Sequence, residues 1–150
     1  MRLNFYSVQQ VKEKAVNYNI DDFGQMNQPQ KIENIARNVL EIDKSDVEKF
    51  YIFTLNTKNK IAGIHLISQG DLNSSLVHPR EVFKRAILNN ASRIMLLHNH
   101  PSGDTTPSLS DDKITKRLSE AGKLLGINVL DHIIIGDNCY SYYQNKKHLL

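Results

Sequence analysis

"RIMLLHNHPSGDTTPSLSDDKITKRLSEAGKLLG", residues 93–126, decides the fold. It opens on "RIMLL", a short apolar run that reads as a buried strand. It closes on a stretch of helical period, in which Ile114, Leu118, Ala121 and Leu125 form one stripe. Serines cap the start of that stretch and Gly126 ends it. Between strand and helix lies a turn-rich segment with Pro101, Gly103 and Pro107. A buried strand that feeds a helix through a loop is a building unit of a mixed α/β sheet.

The flanking sequence extends the same pattern. Upstream, "SSLVHPREVFKRAILNN" predicts a helix from Pro79, with Val82, Phe83, Ala86 and Ile87 as its apolar face. "EKFYIFTLNT" and "KIAGIHLIS" predict a hairpin over 49–68, turned at "NTKNK" and ended by Gly70. "QKIENIARNVL" has helical spacing over about 30–41. Downstream, "INVLDHIIIG" and "CYSYYQN" read as two strands joined at "GDN". The expected order is helix, strand, strand, helix, strand, helix, strand, strand, an α/β (mixed α+β) sheet flanked by helices. Residues 1–27 are weakly patterned: a short helix within 8–18, with Val8, Val11 and Ala15 on one side, then a loop at "DDFGQMNQPQ". The expected organisation is an N-terminal helical extension over 1–44 and one domain over 45–150.

Composition narrows the function classes. A chain of 150 residues suits one core, and a formal charge of +3 permits a nucleic-acid partner without calling for one. Cys139 is the only cysteine, which excludes an intrachain disulfide and a cysteine-rich zinc site. No apolar run approaches membrane-spanning length and no secretory signal pattern is present, so the expected location is cytoplasmic, with no membrane partner.

Strand parity sorts the chemistry of the central stretch. His98 and His100 fall on one face with Ile94 and Leu96, while Met95, Leu97 and Asn99 face the other way. Two neutral imidazoles at this spacing can bind one divalent metal, and a catalytic zinc needs a third protein ligand and an open position. Asp104, Asp111 and Asp112 follow nearby. Asp111 lies three residues before Ile114 and so on the inward face, at a helix start that suits a negative group. Asp112 aligns with Thr115, Lys116 and Ser119 on the polar face. The residues alone leave two readings open: a metal site, or a satisfied histidine pair followed by a helix cap. On the same basis Glu48 is a salt-bridging surface residue. His132 is a half-buried strand residue, or else a contact behind a metal ligand, and His65 and His78 read as bland. His148 sits in a solvated tail. Arg80, Lys84 and Arg85, like Lys113, Lys116 and Arg117, read as solvated helix faces, with a phosphate-contacting surface as the alternative.

"HNHPSGDTTPSLSD" resembles the JAMM motif, H-x-H-P followed by S-x-x-D, of the JAB1/MPN metalloprotease-like superfamily. With "LNTKNKI", "GDLNSSLVHPREVFKRAI" and "LLGINVLDHIIIGDN", the resemblance is closest to the RadC family and spans roughly 45–145. It implies a JAB1/MPN-like (cytidine-deaminase-like) fold and Zn²⁺ ligated by His98, His100 and Asp111. It further implies Glu48 as general base and Ser108 as a hydrogen-bond donor to the developing oxyanion. The activity implied is hydrolysis of a peptide or isopeptide bond, with a peptide or protein as substrate. The alternative it carries is a DNA-repair-associated or DNA-binding protein whose metal site is not a protease site. Residues 1–44 show no glycine-centred hairpin between helices of the kind many RadC proteins use on DNA. Asn99 occupies a position where protease members usually have Ser or Thr. The letters "HNH" do not make a nuclease here, because HNH nucleases distribute those residues through a ββα module.

Overall fold

The computed structural model describes residues 4, 7, 11–15, 29–70 and 77–150. Along the chain run α1 (Pro29–Asn38), β1 (Lys49–Leu55), β2 (Ile61–Gln69), α2 (Pro79–Leu88) and β3 (Arg93–Asn99). These are followed by α3 (Leu109–Leu125), β4 (Asn128–Ile135), β5 (Cys139–Ser141) and α4 (Tyr142–Asn145). The strands form one sheet in the order β2-β1-β3-β4-β5. β1 is antiparallel to both β2 and β3, β5 is antiparallel to β4, and β3 and β4 are parallel. A parallel pair needs a long crossover, and α3 supplies it. The mixed sheet flanked by helices is the fold expected of a JAB/MPN-like domain.

Strand alternation divides the apolar residues between two faces. Phe50, Ile52, Ile94 and Leu96 pack under Val82, Phe83 and Ala86 of α2 and Ile114 and Leu118 of α3. Phe53, Leu55, Met95, Leu97, Ile133 and Ile135 pack under Ile32, Ile35 and Ala36 of α1, with Ile42 beside them. β3 is thus covered on both faces, which is why it reads as a continuous apolar run.

Local chemistry sets the element ends. In the β1–β2 turn, Asn56 Oδ1 accepts from the amides of Lys58 and Lys60, and Asn59 takes a left-handed conformation. Pro79 opens α2, with His78 as N-cap accepting from the Arg80 amide. Ser108 and Asp111 form a capping box at the start of α3, and Gly126 ends it at φ 71°.

Several expectations differ from the structure. Cys139–Ser141 is strand, but the chain then turns into α4 instead of continuing extended to 145. Ser141 Oγ accepts from the Gln144 amide and buried Asp131 accepts from the Tyr143 amide, which closes the turn. The tail is partly docked: Leu150 packs against the helix-covered core and its carbonyl accepts from Lys123 Nζ, although His148 is exposed. Thr115 and Ser119, expected on the polar face of α3, are buried. The sheet continues past β3 to β4, so α3 lies against polar partners there. The short helix expected within 8–18 and the loop expected from 21 lie largely outside the described residues, and 11–15 belong to no helix or strand.

One irregularity matters for the site. Ile94 pairs with Val129 and Leu96 with His132, so three steps along β4 match two along β3. This bulge reverses the side-chain parity of β4 and turns His132 to the face that carries His98. No helix among the described residues is long and apolar enough to cross a membrane.

Candidate metal centre

The end of β3 and the start of α3 meet at one point. His98 Nε2 lies 3.0 Å from His100 Nε2 and 3.3 Å from Asp111 Oδ1, and His100 Nε2 lies 3.5 Å from Asp111 Oδ2. Among the described residues, these three form a group able to hold a metal ion. The spacing fits zinc: bonds of about 2.0–2.1 Å at the tetrahedral angle place ligand atoms roughly 3.3 Å apart. Two imidazole nitrogens and one carboxylate also suit that ion chemically.

Each donor is oriented by its element. His98 is wholly buried, stacked on Phe50 with centroids 5.9 Å apart, and its Nδ1 contacts His132 Nε2 at 2.8 Å. His100 follows the strand; its amide donates to Ile135 O, and its Nδ1 donates to Asp104 O at 2.6 Å. That contact leaves Nε2 as the nitrogen facing the cluster. Asp111 is held by the capping box: Oδ2 accepts from the Ser108 amide at 2.7 Å and from Ser108 Oγ at 2.6 Å. Burial opposes ionisation of Asp111, but the hydrogen bonds it accepts, from His100 first and also from Ser108, outweigh it and hold the carboxyl far below the usual range. The bond to Asp111 raises the pKa of His100 against the opposing effect of burial, and the charge of Glu48 adds to the rise.

The other acids have separate partners. Asp104 Oδ1 caps the Thr106 amide. Asp112 accepts from Tyr142 Oη and from Lys146 Nζ, so it ties α3 to α4. Glu48 stands one residue before β1, with its carbonyl accepting from the Gly70 amide. Asn99, on the far face of β3, brackets it: Oδ1 accepts from the Lys49 amide at 2.8 Å and Nδ2 donates to Val47 O at 3.1 Å. A cleft of about 350 Å³ reaches His100 from the side of α1, lined by Arg37, Asp43, Pro101, Ser102, Gly103 and Asp137 among others.

Comparison with known proteins places this geometry. The model of the RadC-like JAB domain family matches residues 26–148. The chain belongs to the RadC family. A UPF0758 protein of Desulfitobacterium hafniense is 56% identical over 115 residues, which cover 77% of this chain and 50% of that protein. A UPF0758 protein of Caldanaerobacter subterraneus is 64% identical over 90 residues, 60% of this chain and 39% of that protein. The chain spans about half the length of the curated relatives it matches. Its closing histidine-aspartate cluster is therefore part of a RadC-like JAB domain.

From the sequence His132 reads as a half-buried strand residue or as a contact behind a metal ligand. It is fully buried, and it contacts His98 as the second reading expects, with His98 at one ring nitrogen and Thr115 Oγ1, 2.6 Å away, at the other. Burial drives its pKa well below the ordinary histidine value. The β4 bulge, which side-chain alternation does not reveal, brings it there.

Proposed function

We propose that the chain is a zinc-dependent metallohydrolase of the RadC-like JAMM type that cleaves peptide or isopeptide bonds. The observation that carries this reading is the convergence of His98, His100 and Asp111 at near-ligand spacing in a RadC-like JAB domain. These three residues would hold the ion, and a tetrahedral ion has one position more than they supply. When bound, zinc lowers the pKa of water toward neutrality and polarises a carbonyl.

The remaining steps belong to the chain's own residues. Glu48 would accept a proton from the attacking water and return it to the leaving amine. Its charge already acts on His100, and Asn99 and Gly70 hold the backbone around it. Ser108 would donate to the oxyanion. Its hydroxyl now donates to Asp111 Oδ2, so that role requires the Oγ–H to turn outward while the Ser108 amide keeps its own bond to Asp111.

The test is zinc titration of chelator-treated protein together with cleavage of peptide and isopeptide substrates. The wild type should take up one equivalent, and His98→Ala and Asp111→Ala should lose it. Glu48→Gln should keep zinc and lose hydrolysis. A wild type that takes up no zinc refutes the reading. Loss of zinc in Glu48→Gln would make that residue a ligand or scaffold and remove the base from the proposal.

A further inference from the structure

A chain of hydrogen bonds runs from α3 through β4 into the cluster, and each proton in it can be assigned. Thr115 has one hydroxyl proton and gives it to Asp111 O, 2.6 Å away and one helical turn back. A carbonyl only accepts, so the direction of that bond is fixed. Thr115 Oγ1 must then accept from its other neighbour, His132 Nδ1, at 2.6 Å. His132 Nδ1 therefore carries a proton. The His132 ring is wholly buried, between Tyr142, stacked at 5.0 Å, and Phe50, tilted at 5.4 Å. Such a site favours the neutral ring, which has a single N–H. His132 Nε2 is therefore bare.

The next link follows. His98 Nδ1 stands 2.8 Å from that bare nitrogen and must donate to it. The His98 ring is also wholly buried, and in its neutral form that is the single N–H, so Nε2 presents a lone pair toward His100 Nε2 and Asp111 Oδ1. We propose that His132 and Thr115 are positioning residues that lock His98 in the tautomer whose Nε2 faces the metal site. A metal-bound histidine commonly donates its second N–H to a carboxylate, carbonyl or water. Here the acceptor is a second imidazole, itself set by a helix hydroxyl that is anchored to the backbone of Asp111. The same turn of α3 thus places the Asp111 carboxylate and sets the tautomer of His98. The consequence for affinity rests on the metal-site reading, whereas the tautomer itself does not.

Two measurements on the full chain test this. Long-range proton–nitrogen NMR of the metal-free protein should show His98 and His132 both protonated at Nδ1 and bare at Nε2. A proton on Nε2 of either ring overturns the proposal, whatever the protein does with zinc. Zinc affinity by chelator competition should then fall about 10- to 100-fold in His132→Phe, which keeps an aromatic ring but offers no acceptor. Thr115→Val should weaken zinc binding and let the His132 tautomers mix, while Thr115→Ser should restore both. If His132→Phe does not fold, the comparison of Thr115→Val with Thr115→Ser decides. Wild-type affinity in folded His132→Phe or Thr115→Val, with zinc still lost in His98→Ala, refutes the relay and leaves the metal site standing. Equal zinc binding by the wild type and His98→Ala refutes the metal site instead, and the NMR result alone then decides the relay.

Discussion

Replacing Asn99 with alanine should destabilise the domain through the segment that carries Glu48. The Asn99 side chain is 1% exposed and spans two backbone groups: its Oδ1 takes the Lys49 N–H and its Nδ2 gives to Val47 O. Alanine removes both contacts. Val47 O keeps a hydrogen bond from Ser45 Oγ at 2.9 Å, so its loss is the smaller one. The Lys49 amide loses its acceptor at the edge of the core, and an unsatisfied buried donor costs about 1–3 kcal/mol. Adding about 0.5–1 kcal/mol for the Val47 bond, and discounting for water reaching these half-buried residues, gives roughly 1–3 kcal/mol. For a chain of this size that corresponds to a fall in Tm of about 3–9 °C, measurable by calorimetry. Amide exchange at Lys49 should accelerate by roughly 5- to 150-fold over the wild type if it opens through the same transition. A variant within about 0.5 kcal/mol of the wild type, with unchanged Lys49 exchange, would refute the argument. It would mean that Asn99 fills space without holding the Glu48 backbone.

Three other outcomes are expected. Gly136→Ala should destabilise by about 1–3 kcal/mol or more, because a Cβ there would collide with the backbone oxygen of Gly103. Since the loop of Gly103 also holds His100, zinc affinity should fall with it; full stability in urea denaturation would contradict the close approach. Cys139 should resist alkylation by iodoacetamide at neutral pH, because burial, with the charge of Glu33, pushes its thiol from 9.0 to about 12. Three units mean roughly a thousandfold less thiolate than an ordinary thiol, and a normal alkylation rate in folded protein would refute this. Tyr142→Phe should cost about 1–2 kcal/mol in thermal unfolding, through loss of the Tyr142 Oη bond to Asp112. Because the ring still stacks on His132, zinc affinity should change little, and a large loss would show that the hydroxyl matters to the site.

Much of the fold is legible in the sequence because its elements are strongly periodic. The apolar stripe of α3, the Pro79 start of α2 and the "NTKNK" turn are local features, and they appear where local chemistry places them. The capping pair Ser108 and Asp111 is also local, since a helix start needs an acceptor at each of those positions. What fails to show is equally specific. "CYSYYQN" has strand composition, but Asp131, from the neighbouring strand, accepts from the Tyr143 amide and Ser141 Oγ and turns the chain. Thr115 and Ser119 look like solvated helix residues because nothing local reports that β4 lies against them.

The site divides along the same line. Strand parity and helix periodicity suffice to put His98, His100 and Asp111 on facing surfaces, because both depend only on backbone geometry repeated over a few residues. Glu48 and His132 depend on distant pairing. Glu48 comes near the cluster because β1 pairs with β3, Phe50 opposite His98, and because Asn99 grips the backbone on either side of it. His132 comes there through one extra residue in β4. Simple alternation from Val129 would turn it to the face that α1 covers, and the bulge opposite Ile94–Leu96 turns it to the face of α2 and α3, against His98. A bulge is set by how two strands fit when packed, so the string "NVLDHIII" carries the histidine but not the direction in which it points.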